Sequence, residues 1–308
     1  MTTYVLRRLL WVAPSLLIVF TLTFFVVHAT PGSPWDESEK PLPEAVKQNL
    51  ARQYHLDDPL YKQYVDYLTN ALRGDLGPSY RSVERSVSEI VTATLPVSVQ
   101  LGLASILFAL VLGIPLGALA AVKHNTWIDY VASLVTVIGI ATPPFVRVSL
   151  LIVVLSLALG WLPTGGWEGI FDARAIIPTL AIGMGPAAIF ARYTRSSLLE
   201  VQGQDFIRTA RAKGLSELAI VVAHAMKNAL IPVVTVAGVT LANVITGAFF
   251  VERIYGVPGI ARQFVDSVSG RDYPLLLGIV LVFALLIMVV NLLVDLSYGF
   301  LDPRIRYR

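Results

Sequence analysis

Few side chains in this sequence are placed to do chemistry, and their spacing argues against catalysis. The histidines lie in four separate segments, as His28, His55, His124 and His224, so no shared metal site is expected. There is no cysteine, which excludes disulfides, thiolate metal sites and cysteine nucleophiles. No lysine follows a glycine, so a phosphate-binding loop for ATP is absent, as are His-Glu-x-x-His and Gly-x-Ser-x-Gly. The sequence predicts a non-enzyme with no metal or cofactor of its own.

A charged segment, residues 205–217, has the pattern of a short helix, a turn and a second helix. Its helix-forming run stops at Gly214, the residue type that most easily turns a chain. Ser216 can cap the second helix, with Glu217 in the favourable first turn. We predict that 218–227 leads straight into the next apolar stretch, making a rigid knob that can transmit a push. An ordinary basic loop is the alternative.

Three polar residues lie inside long apolar stretches. Arg147 follows a proline pair, and a charge at mid-membrane costs about 2.5–3.5 kcal/mol on insertion scales. Such a group faces a bundle interior or a water-filled cavity, and a structural carboxylate partner such as Asp295 is the alternative. Asn243 and Asn291 could line the same cavity or form interhelical hydrogen bonds, typically worth about 0.6 kcal/mol.

The elements that must carry these residues are transmembrane helices. The chain has 308 residues, of which 55% are hydrophobic and 15% charged, whereas soluble domains carry roughly a quarter charged residues. Residues 90–122, 228–251 and 273–294 contain no Asp, Glu, Lys or Arg, and each stretch exceeds the ~20 residues that cross a bilayer as a helix. The sequence therefore predicts an all-α integral membrane protein of about six spans. The predicted spans are 9–29, 96–122, 130–159 (interrupted at its prolines), 176–191, 229–251 and 274–298.

The spans imply a simple domain organisation. We predict an N-terminal segment with the first span (1–29), an extracytoplasmic helical region (30–95), a five-helix core (96–298) with a cytoplasmic loop (192–228), and a cytoplasmic tail (299–308). The first segment could instead be a signal peptide. Its apolar run of about 20 residues is long for a signal, and no small-residue cleavage site follows, which favours an uncleaved span ended by Thr30-Pro31-Gly32.

The polar region 30–95 is predicted to contain an amphipathic helix. Asp58 and Pro59 have the types of an N-cap and a first helical position, and Gly74 can end the helix. Apolar residues recur between them at helical spacing: Tyr61, Tyr64, Val65, Leu68 and Leu72. We expect this helix to lie on the bilayer or on the bundle, and a docking surface for an external partner is the alternative.

The distribution of Lys and Arg predicts the orientation. With the N-terminus in the cytoplasm, the inside segments hold twelve of these residues and the short outside loops hold four. The inside set is Arg7, Arg8, Lys123, Arg192, Arg195, Arg208, Arg211, Lys213, Lys227, Arg304, Arg306 and Arg308. The outside set is Arg174, Arg253, Arg262 and Arg271. Both termini are therefore predicted to be cytoplasmic, and the net charge of +3 is too small to indicate nucleic-acid binding.

The charged segment also resembles a known motif. Residues 209–217 (Thr-Ala-Arg-Ala-Lys-Gly-Leu-Ser-Glu) and 228–232 (Asn-Ala-Leu-Ile-Pro) are similar to the cytoplasmic coupling motif of ATP-binding-cassette importer permeases. The narrower resemblance is to the B-type permease of dipeptide, oligopeptide and nickel importers. The general motif opens with Glu-Ala-Ala, where this chain has Thr-Ala-Arg, a departure common in the peptide subgroup. Further matches lie at 56–60, 74–77, 271–274 and 301–306.

The resemblance implies a function and a set of partners. It implies a type I importer permease fold that moves di- or oligopeptides across a bacterial cytoplasmic membrane. It implies a second paralogous permease, two cytoplasmic ATPase subunits that hold ATP and Mg, and an extracytoplasmic substrate-binding protein. The implied coupling residues are Asp205, Thr209, Ala210, Arg211, Lys213 and Gly214, with lipid headgroup contact as the alternative for the two cations. The predicted substrate-pathway residues, Arg147, Asn243 and Asn291, come from their polar side chains within apolar spans and not from the resemblance.

Other cargoes and other mechanisms stay open at this point. The same machinery could import a nickel chelate, glutathione or haem. A self-contained channel or secondary transporter is a different class, which predicts inverted repeats with matching broken helices. An intramembrane hydrolase would need paired catalytic groups within the spans, and the sequence shows none.

Overall fold

The computed structural model describes residues 2–30, 35, 43–82 and 84–301, and the described elements are helical apart from an isolated bridge between Pro78 and Ser86. The helices are α1 (Thr2–Ala29), α2 (Glu44–Gln53), α3 (Leu60–Leu72), α4 (Val87–Val122), α5 (Trp127–Ala141), α6 (Pro144–Leu151), α7 (Ile176–Gln202), α8 (Asp205–Ala212), α9 (Glu217–Ala219), α10 (Met226–Ala229), α11 (Ile231–Gly247), α12 (Phe249–Tyr255), α13 (Ile260–Gly270) and α14 (Tyr273–Leu301). Residues 302–308 of the predicted tail and Pro31-Gly32 lie outside the described residues.

Four stretches of the described chain are long and apolar enough to cross a membrane as single helices. They are Arg8–Ala29, Val87–Val122, Ala173–Gln202 and Tyr273–Leu296. Two bent helix pairs raise the number to six if each pair is one span. The all-α membrane fold with about six spans is therefore confirmed, whereas the cytoplasmic placement of the termini and the predicted domain boundaries stay predictions.

The first bend lies at the proline pair. Helices α5 and α6, with the π-helical turn Ile152–Ala158 that follows, meet at 106°. Thr142 and Pro143 each precede a proline, and both have extended backbones, with ψ of 122° and 148°. Clash with the following proline ring disfavours the helical region for such residues, so two in succession turn the chain sharply. The interruption predicted at Thr142-Pro143-Pro144 is confirmed, and the structure adds the size of the bend.

The second bend lies where the charged segment joins the next long helix. Residues Glu217–Ala229, which include a π-helical turn at Ile220–Ala225, meet α11 at 51°. Pro232 lies in the first turn of α11, where its missing N–H costs nothing. The return segment therefore runs into α11 with no loop between them, as predicted, but it meets α11 at an angle that the sequence did not predict.

Helix α7 is longer than its sequence suggested. The predicted span ended at residue 191, yet the helix continues to Gln202. Its added turns are polar on one side, but Thr194, Leu198 and Val201 are buried, so core contacts keep this part helical. The predicted cytoplasmic loop 192–228 thus begins as three more turns of the same helix.

The contacts divide the chain into two units: unit 1 is Met1–Val97 with Pro258–Met288, and unit 2 is Ser98–Val257 with Val289–Arg308. In unit 1, Tyr64, Tyr67 and Leu68 of α3 pack against Phe20 and Phe24 of α1. The predicted amphipathic helix therefore lies on the helical bundle. Three members of its predicted apolar set stay exposed: Tyr61, Val65 and Leu72.

The ends of α3 match the prediction at one end only. Its first residue is Leu60, because Pro59 is the capping residue with an extended backbone. The Asp58 carboxylate caps no N–H and accepts instead from Lys62 Nζ at 2.8 Å, so the predicted N-cap is wrong by one residue. Gly74 has a φ of +83° and follows the helix, as predicted.

Asp272 holds a loop of unit 1 against the start of α14. Its buried carboxylate accepts from Ser79 Oγ, from the Tyr80 N–H at 3.1 Å and from the Leu275 N–H at 3.3 Å. Burial raises the pKa of the Tyr80 hydroxyl, and the Asp272 carboxylate raises it further. Asp272 thus fastens the loop before α4 to the last extramembrane turn, which is the turn between α13 and α14.

Unit 2 is built around close approach to α7. A Cβ added to Gly113 or Gly117 of α4 would lie 2.4 Å from the Ala187 carbonyl oxygen or 2.2 Å from that of Ala191. Helices α4 and α7 can lie this close only because glycine has no side chain at these two positions. Small residues are the usual means by which helices associate in lipid, where apolar burial supplies little drive.

This packing yields a stability prediction. Gly117→Ala places a methyl group against the Ala191 carbonyl oxygen, so α4 and α7 must separate, at a cost of about 1–3 kcal/mol. We expect a lower thermal unfolding midpoint for the detergent-solubilised protein. Gly247→Ala is the matched control, because its added Cβ meets nothing within 4 Å. Equal midpoints for the two variants would contradict the close packing of α4 on α7 at Gly117.

Candidate functional site

The charged segment forms a knob, residues 203–219, at the end of α7. Helix α8 rests on a buried cluster through Ile207 and Ala210, which face Leu198 and Val201 of α7 and Ile220 of the return segment. Ala121, Val221, Ala225 and Ala229 complete this cluster. Because the cluster joins the ends of α4, α7 and the return segment, the knob has a rigid base rather than a loop connection.

Five of the six predicted coupling residues lie on the exposed side of the knob: Asp205, Thr209, Arg211, Lys213 and Gly214. The Thr209 hydroxyl donates to the Asp205 carbonyl oxygen at 3.0 Å, within the first turn of α8. Ala210 differs, because it is buried against the cluster and supports α8 from below. A small residue at this position lets α8 lie close to α7.

The turn of the knob is held at both sides of Gly214. Its φ of +78° is in the left-handed region that glycine adopts without strain, and an added Cβ would meet nothing within 4 Å. Backbone conformation therefore favours glycine here and disfavours β-branched residues. Ser216 Oγ accepts the Ala219 N–H, which confirms the predicted cap.

Arg211 and Glu217 form a bidentate ion pair across the turn, with distances of 2.7 and 3.1 Å. The carboxylate raises the pKa of the Arg211 guanidinium above its usual value. Sequence reasoning placed Glu217 only in the first turn of a helix and missed this pairing. The exposed pair adds little stability, but it fixes the direction of the arginine.

Apolar side chains surround the charges of the knob. Phe206, Leu215 and Leu218 are exposed, Leu218 by 75%. Sequence reasoning missed them, although three apolar residues in a polar segment were a visible signal. An exposed apolar patch with a charged rim is typical of a protein interface.

A buried ion pair fastens α5 to α7 near the knob. Asp129 is 2% exposed, and its carboxylate accepts from Arg195 Nε at 2.6 Å and Nη2 at 2.8 Å. The Asn125 N–H donates to the same carboxylate, and His124 Nδ1 lies 3.1 Å from it. The sequence showed Arg195 only as one of many basic residues, because its partner lies 66 positions away.

The predicted pathway residues lie in different environments of unit 2. Arg147 is 8% exposed, and its Nε and Nη1 have no hydrogen-bond partner among the described residues. The alternative of a carboxylate partner such as Asp295 is therefore not formed by those atoms. Asn243 is exposed on α11 and Asn291 is half-buried on α14, and neither lines the cavity beside Arg147.

Groups of three or more His, Cys, Asp or Glu side chains that could hold a metal ion do not occur in the described part of the chain. The candidate site is thus an exposed knob on a rigid base. A buried arginine and two amides occupy the apolar helices.

Residues 113–307, which include the knob and all three pathway residues, match the model of a family described as binding-protein-dependent transport system inner membrane component. The chain belongs to this family. It is 42% identical to the dipeptide transport system permease protein DppB of Bacillus subtilis over 99% of its own length and 98% of that protein. It is also similar to the oligopeptide permease protein OppB of Escherichia coli K12 (41%) and the glutathione permease protein GsiC of Escherichia coli O6:H1 (40%), each covering 100% of both chains.

A solved structure shares the fold of this inner membrane component. A chain from the inward-facing conformations of the MetNI methionine ABC transporter superposes with a TM-score of 0.60 and is 18% identical, covering 69% of this chain and 96% of that one. The resemblance drawn from residues 209–217 is confirmed at the level of family. The chain is a non-catalytic, multi-pass permease subunit of an ATP-binding-cassette importer in the bacterial cytoplasmic membrane.

The buried ion pair gives the second stability prediction. Asp129→Asn removes the charge from two hydrogen bonds to the Arg195 guanidinium, which is 29% exposed, and hydrogen bonds to charged groups are typically worth about 1.5–3 kcal/mol. We expect a lower thermal unfolding midpoint of the purified permease. Adding Arg195→Gln should recover part of the loss, because no unpaired charge then remains.

The exposed pair of Arg208 with Asp205 supplies the control for this prediction. Arg208→Gln removes an ion pair of 3.3 Å between two exposed side chains, so the midpoint should stay nearly unchanged. A midpoint for Asp129→Asn equal to that of Arg208→Gln would refute a stabilising role for the buried pair.

Proposed function

We propose that this permease translocates di- and oligopeptides across the cytoplasmic membrane. The observation that carries the proposal is similarity of about two residues in five, over the full chain, to permeases named for dipeptide and oligopeptide transport. Full-length similarity includes the outer region and the last extramembrane turn as well as the membrane core.

The importer works through ATPase and other subunits. We propose the following composition: a second paralogous permease, two cytoplasmic ATPase subunits that bind ATP and Mg, and an extracytoplasmic substrate-binding protein. ATP chemistry then belongs entirely to the partners, in line with the missing phosphate-binding loop of this chain.

The knob is proposed to be the surface that an ATPase subunit grips. Its exposed face combines Arg211, Lys213 and Thr209 with the apolar side chains of Phe206 and Leu218, a combination suited to an acidic groove with an apolar floor. Its buried face is fixed to the membrane helices, so that a push on the exposed face moves α7.

The path of such a push can be followed through unit 2. From α8 it enters α7 through the cluster around Ile207, and the Asp129–Arg195 pair passes it to α5. Helix α5 ends at the proline bend, through which the push would reach α6. Asn243 and Asn291 stay our proposed pathway residues, since an amide in an apolar helix needs a polar partner.

Glutathione is a second candidate cargo, favoured by one observation. The glutathione permease GsiC is as similar to this chain as the oligopeptide relatives are. Glutathione is itself a tripeptide, so both cargoes need a pathway that accepts a short chain with a free carboxylate.

Transport by the reconstituted complex tests the function. The tagged permease should co-purify with a second permease and two ATPases, and proteoliposomes of this complex with its binding protein should accumulate labelled dipeptides only with ATP. Labelled glutathione and haem, offered in parallel, decide between cargoes. Purification without any ATPase, or uptake without ATP, would exclude an ATP-driven importer.

The knob gives a prediction about coupling. Gly214→Val forces a β-branched residue into a positive φ, so the turn rearranges and the exposed face loses its shape. We expect peptide uptake to fall about tenfold or more while basal ATP hydrolysis by the complex continues. Gly214→Asn should keep most uptake, because asparagine tolerates this conformation.

Gly203 offers the matched control in the same segment. Its φ is −78° and an added Cβ would make only an ordinary contact at 3.5 Å, so Gly203→Val should transport normally. If the Gly214→Val complex keeps full substrate-stimulated ATPase activity and uptake, the knob does not couple the permease to an ATPase.

A further inference from the structure

Arg147 is buried without a partner in the described part of unit 2. The side chain is more than nine-tenths buried, yet its Nε and Nη1 donate to no described group. Gly185 of α7 makes room for it, because a Cβ there would lie 2.9 Å from Nη1. A charged donor that is kept out of water and given space by a glycine needs an acceptor that the described residues do not supply.

The guanidinium faces an apolar cavity of about 300 Å³ between α4, α5, α6 and α7. Apart from Arg147, the polar lining residues are Thr136 and Thr142, and both hydroxyls already donate to carbonyl oxygens of their own helix. The rest of the lining is apolar, with Leu112, Val135 and Leu150 among it. The cavity thus presents one cation in an otherwise hydrocarbon wall.

The depth of this cavity can be estimated from two helices. The 15 residues of α5 span about 22 Å before the proline bend, which leaves roughly 8 Å to the far surface of a hydrocarbon layer of about 30 Å. Gly185 lies about 14 Å from the start of α7, so it is at most about 14 Å below the same surface. Both values put Arg147 in the half of the layer on that side, where a long arginine side chain can reach toward the interface.

We propose that this cavity binds an anionic membrane lipid, with the headgroup phosphate on Arg147 and an acyl chain along the apolar wall. An anionic group with a long apolar body is the chemistry that one cation and a hydrocarbon lining can satisfy together. A peptide fits less well, because its backbone amides would lie against this lining without partners. Val135 and Leu150 of the wall are exposed, so a lipid can enter sideways from the bilayer.

The position of the lipid gives it a structural consequence. The cavity lies inside the 106° bend between α5 and α6, and both arms of the bend contribute to its wall. A bound lipid therefore fills the angle of the broken helix pair and holds it open. This role is independent of which cargo the importer carries.

Lipid retention by the assembled complex tests the proposal. The full complex is placed in nanodiscs that contain phosphatidylglycerol in a phosphatidylcholine background, and the lipid that stays bound on gentle extraction is counted by native mass spectrometry. We expect Arg147→Gln to retain phosphatidylglycerol at least about tenfold more weakly than the wild type, because the charge-assisted contact is lost. Arg147→Lys should keep a large part of the retention.

Three controls separate the lipid from other occupants. Arg192→Gln removes the same charge at an exposed position of α7 and should leave retention unchanged. Leu150→Trp narrows the mouth while Arg147 stays, so it should lower retention even if Arg147→Gln fails to assemble. Inorganic phosphate and a labelled dipeptide, each added in excess, should displace no phosphatidylglycerol.

The opposite results overturn the proposal. Retention that is equal in Arg147→Gln and the wild type, or unchanged by Leu150→Trp, would exclude a lipid site here. Displacement by the dipeptide would assign the arginine to cargo, and displacement by phosphate would assign it to a free anion. Loss of the second permease from Arg147→Gln, with lipid retention intact, would assign the arginine to the permease interface.

Discussion

Close approach to the backbone of α7 is the constraint on which unit 2 depends. Gly113 and Gly117 bring α4 to within contact of its carbonyl oxygens, and Gly139 brings α5 against Ala188. Gly185 likewise leaves space for the guanidinium of Arg147, which extends from α6. In lipid, where apolar side chains gain little by leaving their surroundings, such contacts depend on dispersion and hydrogen bonding at short range. One helix thereby sets the positions of three others.

The same helix supports the knob and explains its rigidity. Leu198 and Val201 on the last turns of α7 form the floor on which Ile207 and Ala210 rest. The floor lies in the segment 192–228, which was predicted as a cytoplasmic loop that carries a rigid knob. A coupling surface built on a loop would absorb a push from an ATPase, whereas one built on a helix that spans the membrane passes it on.

The sequence predicts the features that follow from local chemistry. Charge-free stretches marked the apolar helices, the proline pair marked the bend at 143–144, and Gly214 marked the turn of the knob. Local patterns also carried the resemblance to importer permeases. Each of these depends on neighbours in the chain or on the bilayer, and both are visible in a sequence.

The sequence could not predict features that depend on packing between helices that are far apart in the chain. Nothing near Asp129 shows that its partner is Arg195, since antiparallel packing of α5 on α7 brings them together. The 106° angle depends on what α6 packs against as well as on its prolines. Burial of Ala210 depends on where α8 comes to rest. The surroundings of Arg147 likewise depend on how α6 packs against α7.

The unbroken run of α7 from the membrane core to the knob has a consequence for the length of the chain. Each residue advances an α-helix by about 100° around its axis. One residue inserted between Gly185 and Gly203 would therefore rotate the exposed face of the knob by more than a quarter turn relative to α4, α5 and α6. Point substitutions on the outer side of this stretch leave the rotation unchanged. Insertions and deletions do change this rotation. The number of residues in the stretch therefore matters more than their identity.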